Sequence, residues 1–195
     1  MLPGLGRLSS VPVEAEFLAP RDRPYENLVS YEFGGPDLNT PAQSRTVKIW
    51  VAYYDVDTIK VGPEDGSLPP VAVYTDPNIT QLSLAFDQNM RATLCFVSGG
   101  VLKLRWFDTI ANAMVVTSFP GADRGQVTCD DKRDTEASVS DIIFVYTQDN
   151  ALYYRQQRDR YSVEYLLAPF VKGKVLRIGM SVKNRLQIEV GERET

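Results

Sequence analysis

The chain is expected to be all-β: antiparallel four-stranded repeat units, propeller-like or sandwiched, with an extended N-terminal arm. Three observations predict this. RATLCFVSGGVLKLRW begins at residue 91, and DIIFVYTQDNALYYRQ overlays it without a gap from residue 141, 50 residues later. An internal repeat of this kind points to a fold built from copies of one unit. Most of the chain is short apolar or alternating runs punctuated by Gly, Pro, Asp and Asn, which is strand and turn chemistry. No segment carries the apolar spacing of a three-turn helix.

Residues 1–45 form the expected arm. They hold Pro3, Pro12, Pro20, Pro24, Pro36 and Pro41 with Gly4, Gly6, Gly34 and Gly35, a composition of extended, poorly self-packing chain. Two strand-like pieces interrupt it, PVEAEF (12–17) and NLVSYEF (27–33). Such an arm lies either on its own body or on neighbouring subunits, and removing residues 1–40 is expected to leave a folded body.

Residues 46–195 form the β domain. Strands are expected at 46–54, 57–61, 70–75, 79–86, 91–97, 101–107, 112–118, 125–129, 141–147, 151–157, 161–167, 174–182 and 185–190. Gly62-Pro63, Asp65-Gly66, Asp76-Pro77, Gly99-Gly100, Pro120-Gly121 and Asp149-Asn150 mark turns between them. The segment 129–141 reads as a polar, solvated connection.

The two repeated hairpins share a pattern of faces. Their first strands are apolar on both sides: Ala92, Leu94 and Phe96 against Cys95 and Val97, then Ile142, Phe144 and Tyr146 against Ile143 and Val145. Their second strands differ, for Leu102, Leu104 and Trp106 alternate with Lys103, Arg105 and Phe107. A strand apolar on both sides is covered twice, as in stacked sheets or propeller blades. Looser copies extend the repeat. Segment 48–61 matches with Ile59 and Val61 on Leu102 and Leu104, and 177–190 matches with Leu186 and Ile188 on Leu152 and Tyr154. About four strands per unit gives three or four units, with strand 27–33 completing the last blade if the propeller closes within one chain.

Composition narrows the chemistry. There is no histidine, so Ser-His-Asp and Cys-His nucleophile systems and histidine metal sites are excluded. Asp55 and Asp57, like Asp130, Asp131 and Asp134, lack the spacing of a calcium loop and read as turn-capping residues. The glycines form neither a phosphate loop nor a dinucleotide fingerprint. The expectation is a non-enzyme without cofactor or metal. With 25 acidic against 21 basic residues, net charge −4, there is no general pull toward nucleic acid. No apolar run suffices to insert in a membrane, and MLPGLGRLSS lacks the pattern of a secretory signal. Cys95 and Cys129 are expected to be buried and reduced.

The most polar-aromatic strand is ALYYRQQRDRYSVEY (151–165), in which Tyr153, Arg155 and Gln157 fall on one side. Tyr and Arg join large contact area to directed hydrogen bonds, which suits a protein interface or a sugar-stacking row. They suit equally an internal role, with Arg105 and Arg155 paired to acids and the aromatics in the core.

The run YYRQQRDRY (153–161), introduced by SDIIFVY (140–146), resembles β-rich structural proteins of tailed bacteriophages. The likeness spans roughly residues 137–167, is weaker over 79–120, and does not reach the arm. It carries no catalytic residues. It implies a virion protein of the tail, tail tip, fibre or adaptor region, made in the bacterial host cytoplasm, whose partners are other virion proteins and copies of itself. Tyr25 and Tyr31 in the arm and Tyr153, Arg155 and Arg158 on the repeat are the expected contacts. The alternative is a lectin-like module that recognises host surface glycan through Trp106, Tyr153 and Arg155.

Overall fold

A computed structural model describes residues 28–35, 37–38, 48–87, 89–129, 141–180 and 186–191. The expected piece 12–17, Tyr25 and the acidic cluster at 130–134 lie outside them. The protein is all-β, its sheets arranged as a four-bladed β-propeller, which decides between the two expected architectures.

Sheet 1 contains β1 (Val29–Gly34), β2 (Lys48–Asp55), β3 (Thr58–Pro63) and β4 (Val71–Thr75). Sheet 2 contains β5 (Ile79–Phe86), β6 (Ala92–Ser98), β7 (Val101–Asp108) and β8 (Ala113–Phe119). Sheet 3 contains β9 (Ala122–Cys129), β10 (Ile142–Gln148), β11 (Ala151–Gln156) and β12 (Tyr165–Ala168). Among the described residues sheet 4 has two strands, β13 (Lys174–Met180) and β14 (Leu186–Gly191). Each sheet is an antiparallel meander of consecutive strands, and the first strands lie side by side: β1 by β5, β5 by β9, β9 by β13.

Apolar cores fill three junctions between sheets. Trp50, Ala52, Ile59 and Val61 of sheet 1 meet Leu82, Leu84, Phe86, Leu94 and Phe96 of sheet 2. Cys95, Leu102, Leu104 and Trp106 of sheet 2 meet Val127, Ile142, Phe144 and Tyr146 of sheet 3. Ile143, Val145 and Leu152 meet Val175 and Ile178 of sheet 4. The two-faced strands are thereby explained: β6 gives Leu94 and Phe96 to one junction and Cys95 to the next, and β10 divides its residues the same way. Both cysteines are buried and neither is in a disulfide, and burial pushes the Cys95 thiol pKa up.

The inner strands are also pinned by side chains. Ser30 Oγ accepts from Leu84 N at 2.9 Å, and Ser83 Oγ accepts from Val127 N at 3.1 Å. The Gln81 amide donates to the Gly125 carbonyl. Gly125 is needed there because a Cβ would stand 2.6 Å from the Phe144 ring.

The three hairpins β2–β3, β6–β7 and β10–β11 turn through two residues with positive φ: Val56 and Asp57, Gly99 and Gly100, Asp149 and Asn150. Two left-handed residues are the mark of a type I′ turn, whose twist matches that of its strands. Asp55 accepts from Lys60 Nζ at 2.6 Å, and Asp57 accepts from the Tyr54 hydroxyl at 3.1 Å, so both serve their hairpin.

Three expectations are corrected. The strand near 27–33 does not complete the last blade; as β1 it pairs with β2 from Val29↔Tyr53 to Gly34↔Lys48 as the inner strand of sheet 1. A truncation at residue 40 would therefore remove a structural strand. The copy at 177–190 is one strand out of phase, since β13 lies against β9 as β9 lies against β5, making it a first strand. The strand expected at 161–167 is shortened to Tyr165–Ala168, because Gln157–Asp159 forms a 3-10 turn, followed by left-handed Arg160 and Tyr161. No helix among the described residues is long and apolar enough to cross a membrane.

Candidate functional site

Strand β11 carries the residues from which a contact surface was expected. Its register places Tyr153 opposite Tyr146 and Arg155 opposite Phe144, so all four side chains share the face turned to sheet 2. Tyr153 stacks on Tyr146 at 5.8 Å between centroids. Arg155 Nε donates to the Tyr146 hydroxyl at 2.9 Å, and Nη1 donates to the Tyr161 and Ser162 carbonyls at 2.9 and 3.3 Å. Nη2 donates to Glu164 Oε2 at 2.8 Å. The same Glu164 oxygen accepts from the Tyr146 hydroxyl, which thus donates once and accepts once. Phe119 lies under the guanidinium at 5.3 Å.

The electrostatics follow from this geometry. Burial, and then the bond to Glu164, push the Tyr146 pKa up to about 12, against a smaller opposing effect of Arg155. Burial alone would weaken the charge on Arg155, but Tyr146 and Glu164 outweigh it and hold the guanidinium protonated.

Residues 158–161 form a clasp, Arg158 and Asp159 within sheet 3 and Arg160 and Tyr161 across to sheet 2. The Arg158 backbone N–H donates to Asp141 Oδ1 at 3.0 Å, and its Nε donates to Oδ2 at 2.5 Å. Asp159 accepts from the Tyr165 hydroxyl at 2.8 Å. Arg160 reaches across to sheet 2 and pairs with Asp108, whose other oxygen caps the Ile110 and Ala111 amides. The Arg160 bond is the main reason the Asp108 carboxyl titrates below its ordinary range. Tyr161 sits 2% exposed, edge-on to Trp106 at 5.1 Å and to Phe144 at 6.5 Å. A non-glycine residue at φ 55° is held in an unfavourable well, and this one persists because packing and pairing on both sides determine it.

The expected contact residues therefore divide. Trp106 is corrected: at 4% exposure, with Nε1 donating to Thr117 Oγ1 at 3.1 Å, it is a core residue. Tyr153 is half-buried beside it in the same core. Arg155 is occupied by the network just described, which is the internal role that the sequence also allowed. Arg158 is half exposed and paired with Asp141. Tyr31 stands in β1 on sheet 1, remote in sequence and sheet from the others, and Tyr25 is outside the described residues. Among the described residues no group of three or more metal-ligating side chains comes together.

A surface that residue types did not announce lies just beyond the clasp. Strand β12 is the outer edge of sheet 3, and it exposes Leu166 at 57% and Leu167 at 41%. Val163 before it and Phe170 after it, at 76%, extend the patch, with the stacked Tyr154 and Tyr165 alongside at 4.7 Å. The sequence signal was YLLAPF (165–170), an apolar run that abandons alternation at the end of a sheet.

No family model matches the chain. No curated protein and no solved structure matches it either.

Proposed function

We propose that the protein is a non-enzymatic structural component of a tailed-phage particle, in the tail, tail-tip, fibre or adaptor region, acting through protein–protein contacts. The observation that carries this reading is the outer edge of sheet 3. A short strand that no described strand pairs on its outer side, with Val163, Leu166, Leu167 and Phe170 exposed on and around it, is what another protein's strand or apolar ridge would cover. Behind it, the Arg155 network ties the edge to its own sheet and the Arg160–Asp108 pair ties that sheet to its neighbour, so that the edge is presented rigidly. The outer strands β4 and β8 also show aliphatic residues, Val71, Met114 and Val116. The resemblance over residues 137–167 supplies the virion setting.

The lectin-like alternative relies on Trp106, Tyr153 and Arg155, and no specific observation favours it, because Trp106 is in the core and Arg155 is bonded on all three nitrogens. Electron microscopy of the native assembly tests the proposal. The expected result is a four-bladed density in the tail region with the β12 edge against a neighbouring protein. A particle without this chain, together with reproducible binding on a glycan array, would reverse the ranking of the two readings.

A further inference from the structure

We propose that Arg105, on the face of sheet 2 turned to sheet 1, pairs with a carboxylate of a partner protein, presented on an acidic strand that adds to the outer edge of β8. This site serves the protein–protein role proposed above and rests on that reading. Its basis is an arginine at the same place in two copies of the repeat. Arg155 lies opposite Phe144, and Arg105, 50 residues earlier, lies opposite Leu94. Arg155 is satisfied within its sheet by the Tyr146 hydroxyl, the Glu164 carboxylate and two carbonyls. At the same offset Phe96 stands in place of Tyr146 and Met114 in place of Glu164, so both side-chain partners are lost. Among the described residues Arg105 has neither a hydrogen bond nor an ion pair. Burial lowers its pKa from the ordinary arginine value, and no neighbouring charge contributes. A partly desolvated cation without a counter-charge is unfavourable, and a carboxylate from outside offsets that cost.

The surroundings of Arg105 fit the same ligand. Lys103, Arg105 and Phe107 share this half-buried face of β7, while Leu102, Leu104 and Trp106 on the other face fill the junction with sheet 3. Lys103 is occupied by Asp76 and Ser98. Beyond Arg105, the Arg91 guanidinium lies over the Phe107 ring at 3.8 Å and makes no ion pair among the described residues. Two cations are thus left without a carboxylate. Strand β8 lies beside them, with Val116 opposite Arg105 and Met114 opposite Phe107, and no described strand pairs its outer side. Both Val116 and Met114 are exposed, so this face is open at β8. The strand, AMVVTSF, has neither charge nor proline, the devices with which exposed edges resist strand addition. A strand added there stands two strand spacings from β7, about 10 Å. An arginine and a glutamate side chain span that distance together, and the guanidinium fork suits a carboxylate.

Peptide binding to the full-length chain tests this. The probes are blocked heptapeptides of alternating valine and glutamate, or of alternating valine and glutamine. The glutamate peptide should bind at least about tenfold more tightly, a margin that shrinks as salt rises. It should also slow hydrogen exchange at the outward amides of β8. R105Q should unfold at an unchanged or higher midpoint, since Arg105 holds no bond within the fold, and should lose the tenfold margin. Equal affinity of the unaltered chain for the two peptides, or no binding of either, overturns the proposal whether or not R105Q folds. So does a margin that survives in folded R105Q, or protection that falls on β12 instead of β8. Incorporation of β12 variants into particles reads the broader function separately, so failure at β8 leaves that reading standing.

Discussion

Arg155 has the residue type of a ligand hook, yet its guanidinium joins two carbonyls, one phenol and one carboxylate of its own sheet. Arg155→Ala should therefore cost about 2–3 kcal/mol in urea unfolding, since it leaves Glu164 and two carbonyls without their charged donor. Arg158→Ala should cost no more than about 1 kcal/mol, because that guanidinium is half exposed. Equal losses from the two variants would mean that the network is not the stronger link. Tyr146 gives a pH test. Its folded pKa of about 12 lies above the ordinary 10.0, so the folded state holds the proton more tightly than the unfolded state. The stability from this site is complete below pH 10 and is lost as pH rises through 12. Tyrosinate absorbance should lose part of its late component in Tyr146→Phe, while the part from Tyr161, which burial also pushes up, remains. Val56 is 84% exposed at φ 43°, an unfavourable place for a β-branched residue. Val56→Asn should stabilise by up to about 1 kcal/mol, read as a raised unfolding midpoint.

At the scale of elements, two-sided burial was legible because it writes itself into the residues: β6 and β10 serve two junctions each and are apolar on both faces. Turn chemistry announced the Gly99-Gly100 and Asp149-Asn150 hairpins, but Val56-Asp57 takes the same backbone without the residues that ask for it. The partner of β1 was not legible, since VSYEF carries its own faces and not the identity of the strand beside it. The likeness of VSYEF to LSLAF (82–86) held the missing clue, as Ser30 and Ser83 bridge successive inner strands in the same way. The clasp was hidden for a different reason. Arg160 and Tyr161 are left-handed only because Asp108 and Trp106 of the neighbouring sheet hold them, and that is tertiary information. The close approach of sheets 2 and 3 yields a direct prediction. Gly125→Ala places a methyl against Phe144, Cys95 and Leu102 and should destabilise by about 1–3 kcal/mol in denaturant titration. A neutral result would show that the junction can open without loss.

As a whole, the molecule commits its polar-aromatic run to joining sheets and leaves its apolar outer edges uncovered. That division is why the proposal places the contact on the edge beside the Tyr- and Arg-rich strand rather than on the strand itself. The most direct test is competition between the unaltered chain and the double variant Leu166→Asp/Phe170→Asp for incorporation into assembled particles, quantified by mass spectrometry of the purified assembly. Both side chains are exposed, so the variant should unfold at an unchanged midpoint. The account predicts that this folded variant is at least about tenfold under-represented in particles, the loss expected when a charge is buried in an apolar contact. Incorporation of the folded variant at the level of the unaltered chain would contradict it.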